Sequence, residues 1–111
     1  MEGPFAEKDW KYLRRLSDDL LQSLCEKINE RAAAIASSEI GTPHERYLAL
    51  YRHIKKSDAI IAECFNDWRR SRLAMRVFSL RKHDLLTDEH LTGLSEQAQT
   101  FIHAMEEMGK Q

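Results

Sequence analysis

Thr42-Pro43-His44-Glu45 is the stretch on which the fold turns. Thr42 offers the hydroxyl of a helix N-cap, and Pro43 suits the first helical position. Glu45 stands where its carboxylate reaches back to the cap amide. Gly41 closes the segment before it. Beyond Pro43 no Gly or Pro occurs until Gly93. The pattern predicts one helix from Pro43 to about Lys82, about 60 Å long.

Upstream, Trp10, Leu13, Ser17, Leu20, Leu24, Ile28, Arg31 and Ile35 fall near one face of a helix, and the run Ala32-Ala33-Ala34 favours helix. A first helix over about 6–38 follows, with Phe5 and Trp10 at the spacing of a hydrophobic staple. Ser17-Asp18-Asp19 could cap a new helix, so a kink is allowed there. Downstream, Thr87 can cap a short helix over about 88–93, and Ser95 can cap a last helix over about 96–108. The four glycines and two prolines are too few for a β-rich chain. The expected fold is all-α: 1–111 as a single helical domain, a long antiparallel hairpin with one short and one medium C-terminal helix folded back.

Charge is the clearest compositional clue. Residues 1–41 hold six Lys/Arg and eight Asp/Glu, a charge of −2. Residues 42–83 hold ten and four, giving +6, and residues 84–111 hold one and six, giving −5. A last helix lying along the basic segment would let the two excesses offset one another.

Spacings of four and three run through Tyr47, Tyr51, Ile54, Asp58, Ile61, Phe65, Trp68, Arg72 and Met75. This is a heptad seam. Its charged members, Asp58 and Arg72, are symmetric about Phe65. An antiparallel dimer centred on Phe65 would set Asp58 of one copy opposite Arg72 of the other. Tyr51, Ile54, Asp58, Ile61, Phe65, Trp68 and Arg72 are therefore the candidate dimer seam. The basic stretch after Trp68 supplies a second set. Arg69, Arg70, Arg76, Arg81 and Lys82 are candidate anion-binding residues, since an exposed arginine-rich helix neutralises phosphates.

No Gly-rich phosphate loop or nucleophile elbow occurs, and no His has a Glu three residues before it. No catalytic residue, metal or cofactor is expected. Glu26 and Glu30, with Glu63 and Asp67, resemble the clustered acids with which MazG-like nucleotide pyrophosphohydrolases hold magnesium, without that family's fuller Glu-Glu-x-x-Glu pattern. The run from Leu13 to Arg31 is faintly similar to the first helix of helical chorismate mutases, but lacks the lysine expected there. As a whole the chain resembles short bacterial helical proteins.

Cys25 and Cys64 are far apart and belong to no Cys-x-x-Cys unit, which suits reduced thiols. Met1–Pro4 does not read as a signal peptide, and no apolar run approaches the roughly 20 residues of a membrane span. A cytoplasmic location is expected. The function expected first is a non-catalytic, self-associating interaction module, a homodimer open to a further protein partner, with nucleic acid and membrane not expected as partners. The alternative is an anion or nucleic-acid binder, and third is a MazG-like nucleotide hydrolase.

Overall fold

The computed structural model describes residues 3–110. Helix α1 spans Glu7–Ser37, α2 Pro43–Phe65, α3 Leu73–Lys82, α4 Asp88–Leu91 and α5 Glu96–Gly109. Among the described residues there is no strand, and the fold is all-α. No helix is long and apolar enough to cross a membrane. The caps follow from local chemistry. Thr42 Oγ1 accepts from Glu45 N at 3.1 Å, and Glu45 Oε1 accepts from Thr42 N at 2.9 Å. Ser95 Oγ accepts from Ala98 N at 3.2 Å. Helix α1 runs through Ser17-Asp18-Asp19 without a break. The Ser17 hydroxyl donates to Arg14 O at 2.7 Å, so it bonds back into its own helix instead of capping a new one.

The expected 40-residue helix does not form. Helix α2 stops at Phe65, and a turn over 66–69 leads through one 3-10 turn, Arg70–Arg72, into α3. The turn lies at Asn66-Asp67, where Asp67 takes the left-handed backbone, φ 61°. Asn and Asp are the residues besides Gly that tolerate this conformation. Asp67 then holds Arg69 through its side chain, and Arg72 Nε at 3.3 Å. Two arginines that would crowd one continuous helix share a carboxylate instead. The turn also brings Trp68 to Trp10, ring centroids 6.1 Å apart.

Length explains why a break is needed. His53 Nε2 lies 3.0 Å from Ile28 O, which fixes how α2 packs back along α1. Counted from that pair, Phe65 is about level with Leu16. A helix continued to Lys82 would pass the start of α1 with nothing to cover it. Helix α3 also ends beside an Asp in the left-handed region, but with a different hydrogen-bond pattern. Asp84 has φ 59°. Its N–H donates to Arg81 O at 3.0 Å, and Leu85 N donates to Leu80 O at 2.9 Å. This is a Schellman motif with Asp in place of Gly.

The core gathers at one end of the molecule. Phe5, just before α1, and Trp10, Leu13 and Leu20 of its first half pack with Leu73, Val77 and Leu80 of α3, with Leu85, Leu86, Leu91 and Leu94, and with Ala98 and Ile102 of α5. The Phe5 and Phe101 rings meet edge-on at 5.7 Å. Tyr12 donates to His90 O at 2.7 Å, and its ring fills the space beside Gly93, where a Cβ would sit 2.4 Å from it. At the centre Asp9 is fully buried. Its carboxylate accepts from Ala6 N at 2.8 Å and from the Ser95 amide and hydroxyl at 2.7 Å each. The first turns of α1 and α5 thus converge on one carboxylate, the charge their dipoles favour. Replacing Asp9 with Ala leaves three donors without that acceptor. Asp9→Ala should lower unfolding stability by about 3 kcal/mol, read by urea unfolding monitored by circular dichroism.

Candidate functional site

Beyond this end the molecule is only two helices thick. Segments 21–37 of α1 and 43–63 of α2 form an arm. Of its residues only Ser57 is buried, and none of its apolar side chains is. Leu24, Ile28 and Ile35 of α1 are half-buried, as are Ala49, His53 and Ile60 of α2, which is all that a two-helix contact provides. One turn away on α2 lies a second stripe, Tyr47, Tyr51 and Ile54, exposed at 61%, 55% and 45%.

The candidate seam divides between these regions. Tyr51, Ile54 and Asp58 are exposed along the arm, and Ile61 is half-buried. Phe65 and Trp68 pack against the core instead. Arg72 lies beyond the break, bound to Asp67. The straight line that placed Asp58 and Arg72 symmetrically about Phe65 is therefore absent, because α2 ends at Phe65 itself.

Each cation of the arginine-rich segment has a partner within the chain. Arg69 and Arg72 bind Asp67, Arg70 binds Glu7, and Lys82 lies 3.7 Å from Glu63. Arg70 and Arg14 also face the Trp10 ring at 5.4 and 5.6 Å. Arg76 is buried and donates to Glu63 O. Arg81 donates to Asp88 at 2.8 Å, to Leu86 O at 3.0 Å and, through two nitrogens, to Glu106. The hydrogen bond from Arg81 holds the Glu106 carboxyl below its ordinary range, against the opposing effect of burial. A cleft of about 640 Å³ opens between α3 and α5, lined by Val77, Phe78, Phe101 and Met105, with this ion pair at its rim.

The acids that resembled a magnesium cluster are not brought together. Glu63 is about level with residue 18 of α1. Glu26 and Glu30 are eight and twelve residues further along, about 12 and 18 Å away on the helix axis. Asp67 is turned into the break, against its arginines.

Glu63 has other company. Its Oε2 lies 2.9 Å from His83 Nε2, and Cys64 is fully buried beside it. One donor atom from each of Glu63, Cys64 and His83 lies within 4.8 Å of the others. Burial pulls the Glu63 carboxyl up, but the His83 hydrogen bond and the Lys82 charge outweigh it and hold the carboxyl low. Burial pushes the Cys64 thiol up to about 11. Sequence spacing could not reveal this group, since Cys64 and His83 are 19 positions apart on different helices. No protein-family model matches the chain, and no curated protein or solved structure matches it.

Two outcomes follow from the internal pairing. Labelled DNA or RNA titrated at physiological ionic strength should show no nanomolar binding in fluorescence anisotropy, because the cations of the arginine-rich segment are engaged within the chain and phosphate contacts are weakened by salt. The Arg81–Glu106 pair should also make stability depend on acidity. A carboxyl held low in the folded state contributes stability above its ordinary value of 4.5, and that contribution is lost as pH falls through the folded value. Melting temperature followed below about pH 4.5 should fall less steeply for Glu106→Gln than for the unchanged chain.

Proposed function

We propose that the chain is a non-catalytic, self-associating helical module, whose hairpin arm pairs with the arm of a second copy to make a four-helix bundle. One observation carries this reading: across residues 21–63 no apolar side chain is buried, while Tyr47, Tyr51 and Ile54 line up on the outer face of α2. Single exposed apolar residues are ordinary, but an ordered stripe along a bare two-helix arm is a surface that wants covering.

The size is adequate. About 17 residues of helix give an arm face about 25 Å long, and two helices about 10 Å apart make it about 20 Å wide. That is about 500 Å² per copy and about 1,000 Å² for a pair, the lower bound of a specific interface. Tyrosines suit such a face, since their rings pack while their hydroxyls stay wet. The arm is also the part of the molecule whose exposed charges are mixed, with Glu26, Lys27, Glu30 and Arg31 on α1 and Arg52, Lys55, Lys56 and Asp58 on α2. Mixed charge at a rim sets register without strong net repulsion between copies. The two unpaired thiols suit a reducing compartment such as the cytoplasm.

Sedimentation equilibrium is the direct test. The unchanged chain should be a dimer at tens of micromolar. Tyr51→Glu and Ile54→Lys, each on a largely exposed side chain, should give monomers whose helicity and melting curve as monomers are little altered. A monomeric unchanged chain, or variants that associate as well as it does, would rule the arm interface out.

A further inference from the structure

We infer that Glu63, Cys64 and His83 form a zinc site that ties the end of α2 to the end of α3 across the break between them. The donors come from two rigid helix ends. Cys64 lies in the last turn of α2, packed in the core. His83 caps α3, held there by its N–H to Ser79 O at 3.1 Å and by the Schellman motif that follows. Glu63 precedes Cys64 and already approaches the imidazole at 2.9 Å.

The donor atoms lie within 4.8 Å of one another. A tetrahedral zinc with bonds of about 2.0–2.3 Å separates its ligands by about 3.3–3.8 Å, so only small side-chain shifts are needed. The chemistry selects the metal. A thiolate, an imidazole and a carboxylate match zinc, whereas magnesium and calcium take oxygen ligands alone. Three protein donors leave a fourth position for water. It opens outward, because the Glu63 and His83 side chains are 40% and 22% exposed while Cys64 closes the inner side.

Arg76 is a separate observation at the same place. It is buried, its Nε has no hydrogen-bond partner, and its guanidinium has no carboxylate partner among the described residues. It bonds the Glu63 carbonyl, and its charge acts on Cys64. Its unpartnered Nε is a spare donor beside the cluster, of the kind that hydrogen-bonds metal ligands from the outer shell. The site does not depend on the arm pairing with a second copy.

Cobalt(II) is the probe, added to the reduced full chain. A thiolate-to-cobalt charge-transfer band should appear in the near ultraviolet, with tetrahedral bands in the visible. It should saturate at one equivalent and vanish on adding zinc. Cys64→Ser should abolish the charge-transfer band. Because Cys64 is in the core and that variant could fail to fold, His83→Gln and Glu63→Gln provide the surface test. Each should weaken cobalt binding at least tenfold while keeping the helical spectrum, and Cys25→Ser should bind as the unchanged chain does. Zinc should raise the melting temperature of the unchanged chain and not that of His83→Gln. The site is overturned by absence of the charge-transfer band in the unchanged chain, by its loss in Cys25→Ser, or by undiminished binding in His83→Gln.

Discussion

The carboxylate of Asp9, fully buried between the first turns of α1 and α5, is the contact on which the rest of the molecule depends. It accepts hydrogen bonds from Ala6 and from both donors of Ser95, residues near opposite ends of the chain. A buried charge persists only where hydrogen bonds replace its water. Here two helix N-termini supply them. Once α5 is fixed against the start of α1, Ala98 and Ile102 enter the core. Glu106 is then carried to Arg81, and Phe101 to Phe5. The cluster is complete with only the first half of α1 used.

That incompleteness organises the molecule. Helix α1 has 31 residues, and the core consumes its length to about Leu20. Among the described residues the remainder is covered mainly by α2, and α2 ends at Phe65. The break at Asn66-Asp67 is thus a division of labour. Before it, α2 belongs to the arm. After it, Trp68 and α3 belong to the core. The C-terminal ends of the two helices that the break separates, at Cys64 of α2 and at His83 beyond α3, are brought together by the reversal, and chemistry that neither helix holds alone collects there.

The charges obey the same geometry. The +6 and −5 blocks do not meet face to face along two long helices. They meet at one arginine, Arg81, which pairs with Glu106 and Asp88, whereas Lys82 and His83 pair with Glu63 inside the basic block and Arg70 pairs with Glu7 of α1. Most of these pairs are partly exposed and contribute little stability each. What they do is set a carboxylate of the same chain beside five of the six cations in the Trp68–Lys82 stretch.

The sequence by itself determined what is local. Thr42-Pro43-His44-Glu45 caps α2 because hydroxyl, ring and carboxylate lie within one turn of one another. Thr87 and Ser95 start their helices because each hydroxyl accepts from the amide three residues on. The apolar stripe of α1 follows from spacing alone. Asn66-Asp67 was a legible signal as well, since both residues tolerate a left-handed backbone, but nothing nearby marks it as a stop without Gly or Pro. Whether the helix continues there is decided by what its extension would touch, and that is a matter of how far α1 reaches. Tertiary structure alone decided that Trp68 faces Trp10, that Asp9 serves Ser95, and that Cys64 lies beside His83. These contacts join residues 58, 86 and 19 positions apart. A one-dimensional pattern records the direction of a side chain on its own helix, whereas such pairs exist only once the helices have been cut to length and packed.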